Sequence, residues 1–239
     1  MSPRLRSLVC ADTSGAWSKA GFSLGCDGAS NMLSIGALRI VLSGASQPSA
    51  ASKAAFGFTS WVWEGLGEDY GAGKKEIGGV PTEVVEPTAA PKRVEHRNGL
   101  TGVDHVVLRT RNLEGVRASL EEAGISRRAE RSDLYPGITQ EFYRPFNEMT
   151  IEVVGPTPGT EPSEIGGFLG NFTEGPETFL WGITFVTEDM EKTKAFFGEK
   201  MSKVKPAAQP GRLIGTIRGK KVGLSPAIAV LTPYKSASL

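Results

Sequence analysis

The sequence predicts an α+β protein of tandem βαβββ modules whose strands form a curled mixed sheet around a cleft. Three observations predict it. The order strand, Asx cap, helix, glycine, strands occurs twice, over residues 101–156 and 179–233, and both copies end in the pattern xIxVxxP. A shorter copy of the same order stands at the N-terminus. In the first full copy Leu113, Val116 and Leu120 are spaced by three and four, as an amphipathic helix set between strands requires.

Taken in order, SLVCADTSGAWSKAGFSLG is a strand, a cap at Asp12 or Thr13, a short helix and a turn. NMLSIGALRIVLSG is a hairpin turning near Gly36. FTSWVWEG, residues 58–65, begins a damaged further copy, and the stretch Glu68 to Gly79 is too polar and glycine-rich for a helix. Residues 44–56 and 155–178 are Gly/Ser/Pro-rich connectors, and 80–98 is punctuated by proline and extended. The first full copy has a strand from Val103 to Arg109 and a cap at Asn112. Its helix is marked by Leu113, Val116 and Leu120, and Gly124 is the stop. A polar stretch follows, then the strands QEFYRPF and MTIEVVGP with a tight turn at Asn147-Glu148. The second full copy has a strand from Leu180 to Val186, a cap at Glu188-Asp189, a helix closed by Gly198, and the strands RLIGTIRG and AIAVLTP. Two such units side by side would close a half-barrel cleft that can hold a small molecule or metal.

With 239 residues, 39% of them hydrophobic, the chain can bury one large core or two small ones. A net charge of +1 and only short charge runs argue against nucleic acid or an anionic membrane as partner. No apolar stretch approaches the roughly 20 residues of a membrane span, and Met1 to Leu8 lacks the apolar core of a secretory signal. Cys10 and Cys26 have no metal-ligand spacing, and Cys10 in its apolar run reads as a buried reduced thiol, so a cytoplasmic location is expected, with organelle targeting left open. No GxxxxGK[ST] or GxGxxG loop is present, and the two histidines are tied to no serine or cysteine by motif.

GVDHVVL at 102–108 and IEVVGP at 151–156, together with QEFYR, FLWGITFVTEDME and QPGRLIGTIR, resemble the vicinal-oxygen-chelate superfamily. That superfamily includes glyoxalase I, fosfomycin and bleomycin resistance proteins and extradiol dioxygenases. The resemblance is good over about residues 94–233 and weak over 1–93. It implies the glyoxalase/bleomycin resistance/dioxygenase fold. It also implies a division into 1–98, degenerate N-terminal module material and linker, and 99–239, a domain of two βαβββ modules. By the same resemblance His105 and Glu152 match a first-strand and a last-strand ligand of a divalent metal (zinc, manganese, iron or nickel), with Glu152 also the catalytic carboxylate. The matching positions of the second copy, Gly182 and Ala229, carry no donor. Ser60 takes the place of His105 in the damaged copy, and the last-strand position of the N-terminal copy falls near Arg39. Any site would have to recruit other groups, such as His96, Gln140, Glu141 or water.

Gln140, Phe142 and Arg144 share a strand face by alternation and, with Arg212, are expected to contact substrate. If Ile151 and Val153 face the core, Glu152 faces the cleft or solvent. Asn98-Gly99 is explained by turn formation, and Trp61, Trp63 and Trp181 are read as core before cleft wall. Three functions stay open: a metal-dependent lyase, isomerase or dioxygenase; a metal-free small-molecule-binding protein; and a non-catalytic assembly module. The expected partners are a small-molecule ligand and a second copy of the chain in a homodimer.

Overall fold

A computed structural model describes residues 3–25, 29–44, 57–67, 70, 76–145, 149–165, 172–173 and 175–234. Cys26, the turn at Asn147-Glu148 and most of the connector 44–56 lie outside the described residues. The N-terminal copy is β1 (Arg4–Cys10), α1 (Ser14–Lys19), β2 (Met32–Ile35) and β3 (Leu38–Leu42). It is followed by β4 (Phe58–Glu64), β5 (Glu76–Ile77) and β6 (Val80–Val85). The first full module is β7 (Leu100–Thr110), α2 (Leu113–Glu122), β8 (Arg127–Arg131), β9 (Ile138–Tyr143) and β10 (Thr150–Pro156). The second is β11 (Thr178–Thr187), α3 (Met190–Phe197), β12 (Lys205–Pro206), β13 (Leu213–Ile217), the short helix α4 (Gly219–Val222) and β14 (Ala227–Leu231).

One pairing rule repeats through the sheet. The first strand of each unit lies parallel to its last: β1 with β3, β4 with β6, β7 with β10 and β11 with β14. Units then join in twos through antiparallel first strands, β1 with β4 and β7 with β11. The two pairs meet at a single register contact, Leu180 against Phe58. The result is a curled mixed sheet with few helices, as the sequence predicts.

The helices start where their caps dictate. The Asn112 side chain accepts from the Gly115 amide at 2.8 Å, and that of Asp189 from the Lys192 amide at 2.9 Å. In the N-terminal copy Thr13, not Asp12, is the cap. Asp12 instead accepts from the Trp17 indole at 3.1 Å and the Ser225 amide at 3.0 Å. Gly124, with φ +77°, supplies the left-handed turn after α2. Leu113, Val116 and Leu120 bury the predicted face of α2. They join a core that runs without a break from Leu5 through Trp61 and Trp63 to Val230.

The two halves are stitched through that core. Gly78 donates its amide to the Ser119 hydroxyl on α2 at 2.9 Å, and Asn98 donates to the Ala20 carbonyl at 3.0 Å. His96 accepts from the Ser23 amide at 3.1 Å, and its other ring nitrogen meets the Ser34 carbonyl at 3.1 Å. Burial holds its pKa below the ordinary value, although the Ser34 carbonyl favours the proton. Cys10 is fully buried, and burial with the Asp12 charge pushes its thiol far up. Trp61 and Trp63 are core, as read from the sequence. The polar stretch after α2 differs from expectation: RRAER forms the edge strand β8, antiparallel to β9. Among the described residues, no helix is long and apolar enough to cross a membrane.

Candidate functional site

The site is built where β7, β10 and β9 lie side by side. Ile151 and Val153 are fully buried in the main core, so Glu152 projects from the opposite face, which is the concave one. Register puts Glu152 beside Val107 and Phe142, and Val154 beside Gln140. His105, two residues before Val107, shares this face. Its Nε2 lies 3.2 Å from Glu152 Oε2 and 2.8 Å from the Thr184 hydroxyl on β11. Its Nδ1 lies 2.8 Å from Asp104 Oδ2.

An adjacent residue can reach the His105 ring because the strand is bulged. The β7–β11 register passes from His105 opposite Thr184 to Val103 opposite Phe185, leaving Asp104 as the extra residue. The bulge turns Asp104 beside His105 instead of to the other face. Sequence reasoning missed Asp104 and Thr184. A signal for Asp104 was present, since aspartate is disfavoured inside a strand and here needs a reason to be there.

Arg212 enters from the loop before β13 and bonds Asp104 Oδ1. Its Nε donates to the Thr232 carbonyl at 2.6 Å, and its guanidinium lies 4.3 Å from the Tyr234 ring centre. Only 2% exposed, Arg212 is committed to a carboxylate of the protein itself. Gln140 donates to Glu152 Oε1, while its own Oε1 is buried with no partner among the described residues. Phe142 flanks Glu152 as the alternation predicts. Arg144 stands exposed beyond the end of β9 and is not brought to the site. His96 belongs to the stitch between halves. Glu141 faces the other side, fully buried against Arg117, Arg127 and Tyr143.

The electrostatics follow from this packing. Burial opposes a charge on His105, but hydrogen bonds and attraction from Asp104 and Glu152 outweigh it and raise its pKa to about 9. Burial would push Glu152 up, yet His105 and Gln140 hold it below the ordinary carboxylate range. For Asp104, burial is likewise overcome by His105 and Arg212. The array alternates in sign from Arg212 through Asp104 and His105 to Glu152, and its formal charges cancel.

The divalent metal that the sequence resemblance implies does not fit this donor set. Among the described residues, no group of three or more His, Cys, Asp or Glu could hold a metal ion. Gly182 pairs with Ala227 as His105 pairs with Thr150, so the register carries His105 onto Gly182 and Glu152 onto Ala229. A Cβ on Gly182 would lie 2.6 Å from the Ala227 carbonyl, so the backbone there leaves no room for a ligand side chain. In the N-terminal copy Ser7 pairs with Arg39, which places Val41, two residues further on, at the position of Glu152.

Two features shape the rest of the concave face. Ile165 and Phe172, from the connector between β10 and β11, pack on Val107, Ile138 and Val154, with Tyr135 and Trp181 beside them. Arg109 adds a cation–π contact to Phe172 at 4.1 Å. On the β14 side is a cavity of about 190 Å³ lined by Trp181, Gly219, Lys220, Leu224, Ser225, Pro226 and Ala227. Trp181 thus packs on a core cluster, as read from the sequence, and also lines this cavity.

No protein-family model and no curated protein matches the chain. Solved structures do. The chain is similar to a mutant form of 4-hydroxymandelate synthase from Streptomyces coelicolor, with 11% identity and a TM-score of 0.65, covering 100% of this chain and 95% of that one. It is also similar to a xylose isomerase-like TIM barrel/4-hydroxyphenylpyruvate dioxygenase fusion protein, with 10% identity and a TM-score of 0.63, covering 100% of this chain and 50% of that one. A methylmalonyl-CoA epimerase from Mycobacterium tuberculosis shows 15% identity and a TM-score of 0.46 over 57% of this chain and 91% of its own. The first two likenesses show that the chain has the vicinal-oxygen-chelate fold, as its motifs led one to expect.

Proposed function

We propose that this chain, built on the vicinal-oxygen-chelate fold, is a metal-free small-molecule-binding protein whose polar centre is the array Asp104, His105, Glu152 and Gln140. The observation that carries this is the engagement of both ring nitrogens of His105 by carboxylates, at positions whose counterparts Gly182 and Ala229 offer no donor. A protonated imidazole held this way has both N–H groups taken by Asp104 and Glu152, so its part is to fix the Glu152 carboxylate in place for a ligand. Glu152 and the unpartnered Gln140 oxygen accept from a ligand hydroxyl or amide. Phe142 supplies an apolar wall. In this proposal residues 99–239 form the binding domain, and the degenerate modules and linker of 1–98 buttress it through Gly78, Asn98 and His96.

The alternative is a divalent-metal lyase, isomerase or dioxygenase. It has one observation in its favour, the 3.2 Å approach of His105 and Glu152 from a first and a last strand. A thermal-shift screen of small carbonyl and phenolic compounds, with and without chelator, tests the proposal. A ligand at one hundred times its Kd stabilises by about 2.7 kcal/mol. The expected result is a shift that survives the chelator and disappears in His105→Gln. A shift that needs added metal would favour the alternative.

A further inference from the structure

We infer that the cavity beside β14 is a separate binding site for a single aromatic ring bearing a carboxylate. Nothing in the His105 array is needed for it, so this goes beyond the function proposed above.

The argument starts from the lining. Trp181, Leu224, Pro226 and Ala227 form an apolar surface. Trp181 is the extra residue of a second bulge in the β7–β11 register, between Leu180 opposite Leu108 and Gly182 opposite Val107. The indole is therefore delivered to the concave face, whereas Trp17, Trp61 and Trp63 are fully buried elsewhere. Aromatic rings stack on such a surface. A cavity of about 150 Å³ with apolar walls holds one benzene ring, so the 190 Å³ here admits a ring with one small substituent.

The polar lining sets the substituent. Among the described lining residues Lys220 is the one that carries a charge, and it is exposed. Ser225 contributes a hydroxyl that is buried yet has no hydrogen-bond partner among the described residues. An unpaired buried hydroxyl is costly, and a ligand acceptor would relieve that cost. The Asp12 carboxylate is buried behind the wall, accepting from the Trp17 indole and the Ser225 amide. It is not part of the lining. An ammonium and a hydroxyl donor, with no acid among the described lining residues, select an anion, and the apolar walls select a ring to carry it.

The experiment is an NMR titration of the full chain with benzoate. Benzyl alcohol and acetate serve as comparators, and the readout is the indole N–H signal of Trp181, assigned with Trp181→Phe. The expected result is a saturable shift with benzoate and a far weaker response to either comparator. Lys220→Met, an exposed substitution that leaves the fold alone, should weaken benzoate roughly tenfold, the loss of about one charge-assisted hydrogen bond. Ser225→Ala should weaken it further, and His105→Gln should bind benzoate as wild type does. Absence of a benzoate shift, equal binding by benzyl alcohol, or unchanged affinity in Lys220→Met would each overturn the inference. None of those results would touch the His105 array, whose test is the screen above.

Discussion

His105 keeps its proton to about pH 9 in the folded chain, against an ordinary value of 6.5. The folded pKa is the higher one, so the stability it contributes is complete below pH 6.5 and is lost as the pH rises through 9. At about 1.4 kcal/mol per unit the difference is about 3 kcal/mol as an upper bound. Denaturant unfolding of wild type should therefore weaken from neutral to alkaline pH, and His105→Gln should flatten that slope. Asp104→Asn should bring the His105 titration, followed by imidazole NMR, back toward neutral pH, because it removes one of the two flanking charges. His96 behaves in the opposite sense. Burial depresses its pKa, so its contribution is present above 6.5 and falls away as the pH drops below that value. A wild-type slope without sign change, or a His105 pKa unmoved in Asp104→Asn, would contradict these assignments.

Strand and helix packing makes its own demands. Glu141 is fully buried on β9, with Arg117 of α2, Arg127 of β8 and Tyr143 all bonded to it. Replacing it by alanine takes the acceptor from the buried Tyr143 hydroxyl and leaves Arg117 and Arg127 to pair with Glu130, and should cost about 3 kcal/mol in chemical denaturation. Loss of the Asn112 cap in Asn112→Ala should cost about 1 kcal/mol. Gly155 lies where a Cβ would meet Leu113 at 2.7 Å and the Thr110 carbonyl at 2.8 Å, so Gly155→Ala should lose about 1–3 kcal/mol by overpacking α2 against β10. These elements also show what was legible in advance. Caps, alternation and the Leu113, Val116, Leu120 stripe are local signals, and they placed β7, α2, β9, β10, β11, α3, β13 and β14. Strand β8 was illegible because RRAER is an exposed edge with no apolar alternation, held by pairing to β9. For Asp104 the signal was an aspartate inside a strand, but its place beside His105 was illegible, because a bulge arises from the register between two strands, not from either strand alone. Arg212 was noticed as an anion contact, and only the fold shows Asp104 at its guanidinium.

Across the chain, one pairing rule applied four times carries a His–Glu pair in only one unit of the described residues. The first strands of the other three offer Ser7, Ser60 and Gly182 where His105 stands; repetition pointed to Ser60 and Gly182, and the strand register adds Ser7. The concave face is closed in part by the chain's own Ile165 and Phe172, which sequence reasoning had left in a connector because a residue's long-range cover is not written in its neighbours. In the function proposed above, this is a binding face that retains two positions of a metal centre without the full ligand set. Metal titration by calorimetry of wild type, His105→Ala and Glu152→Ala, each first stripped with chelator, decides the matter. The account predicts no stoichiometric zinc, manganese, iron or nickel binding, and the same weak background in all three proteins. Tight one-to-one binding by wild type that disappears in both variants would contradict it.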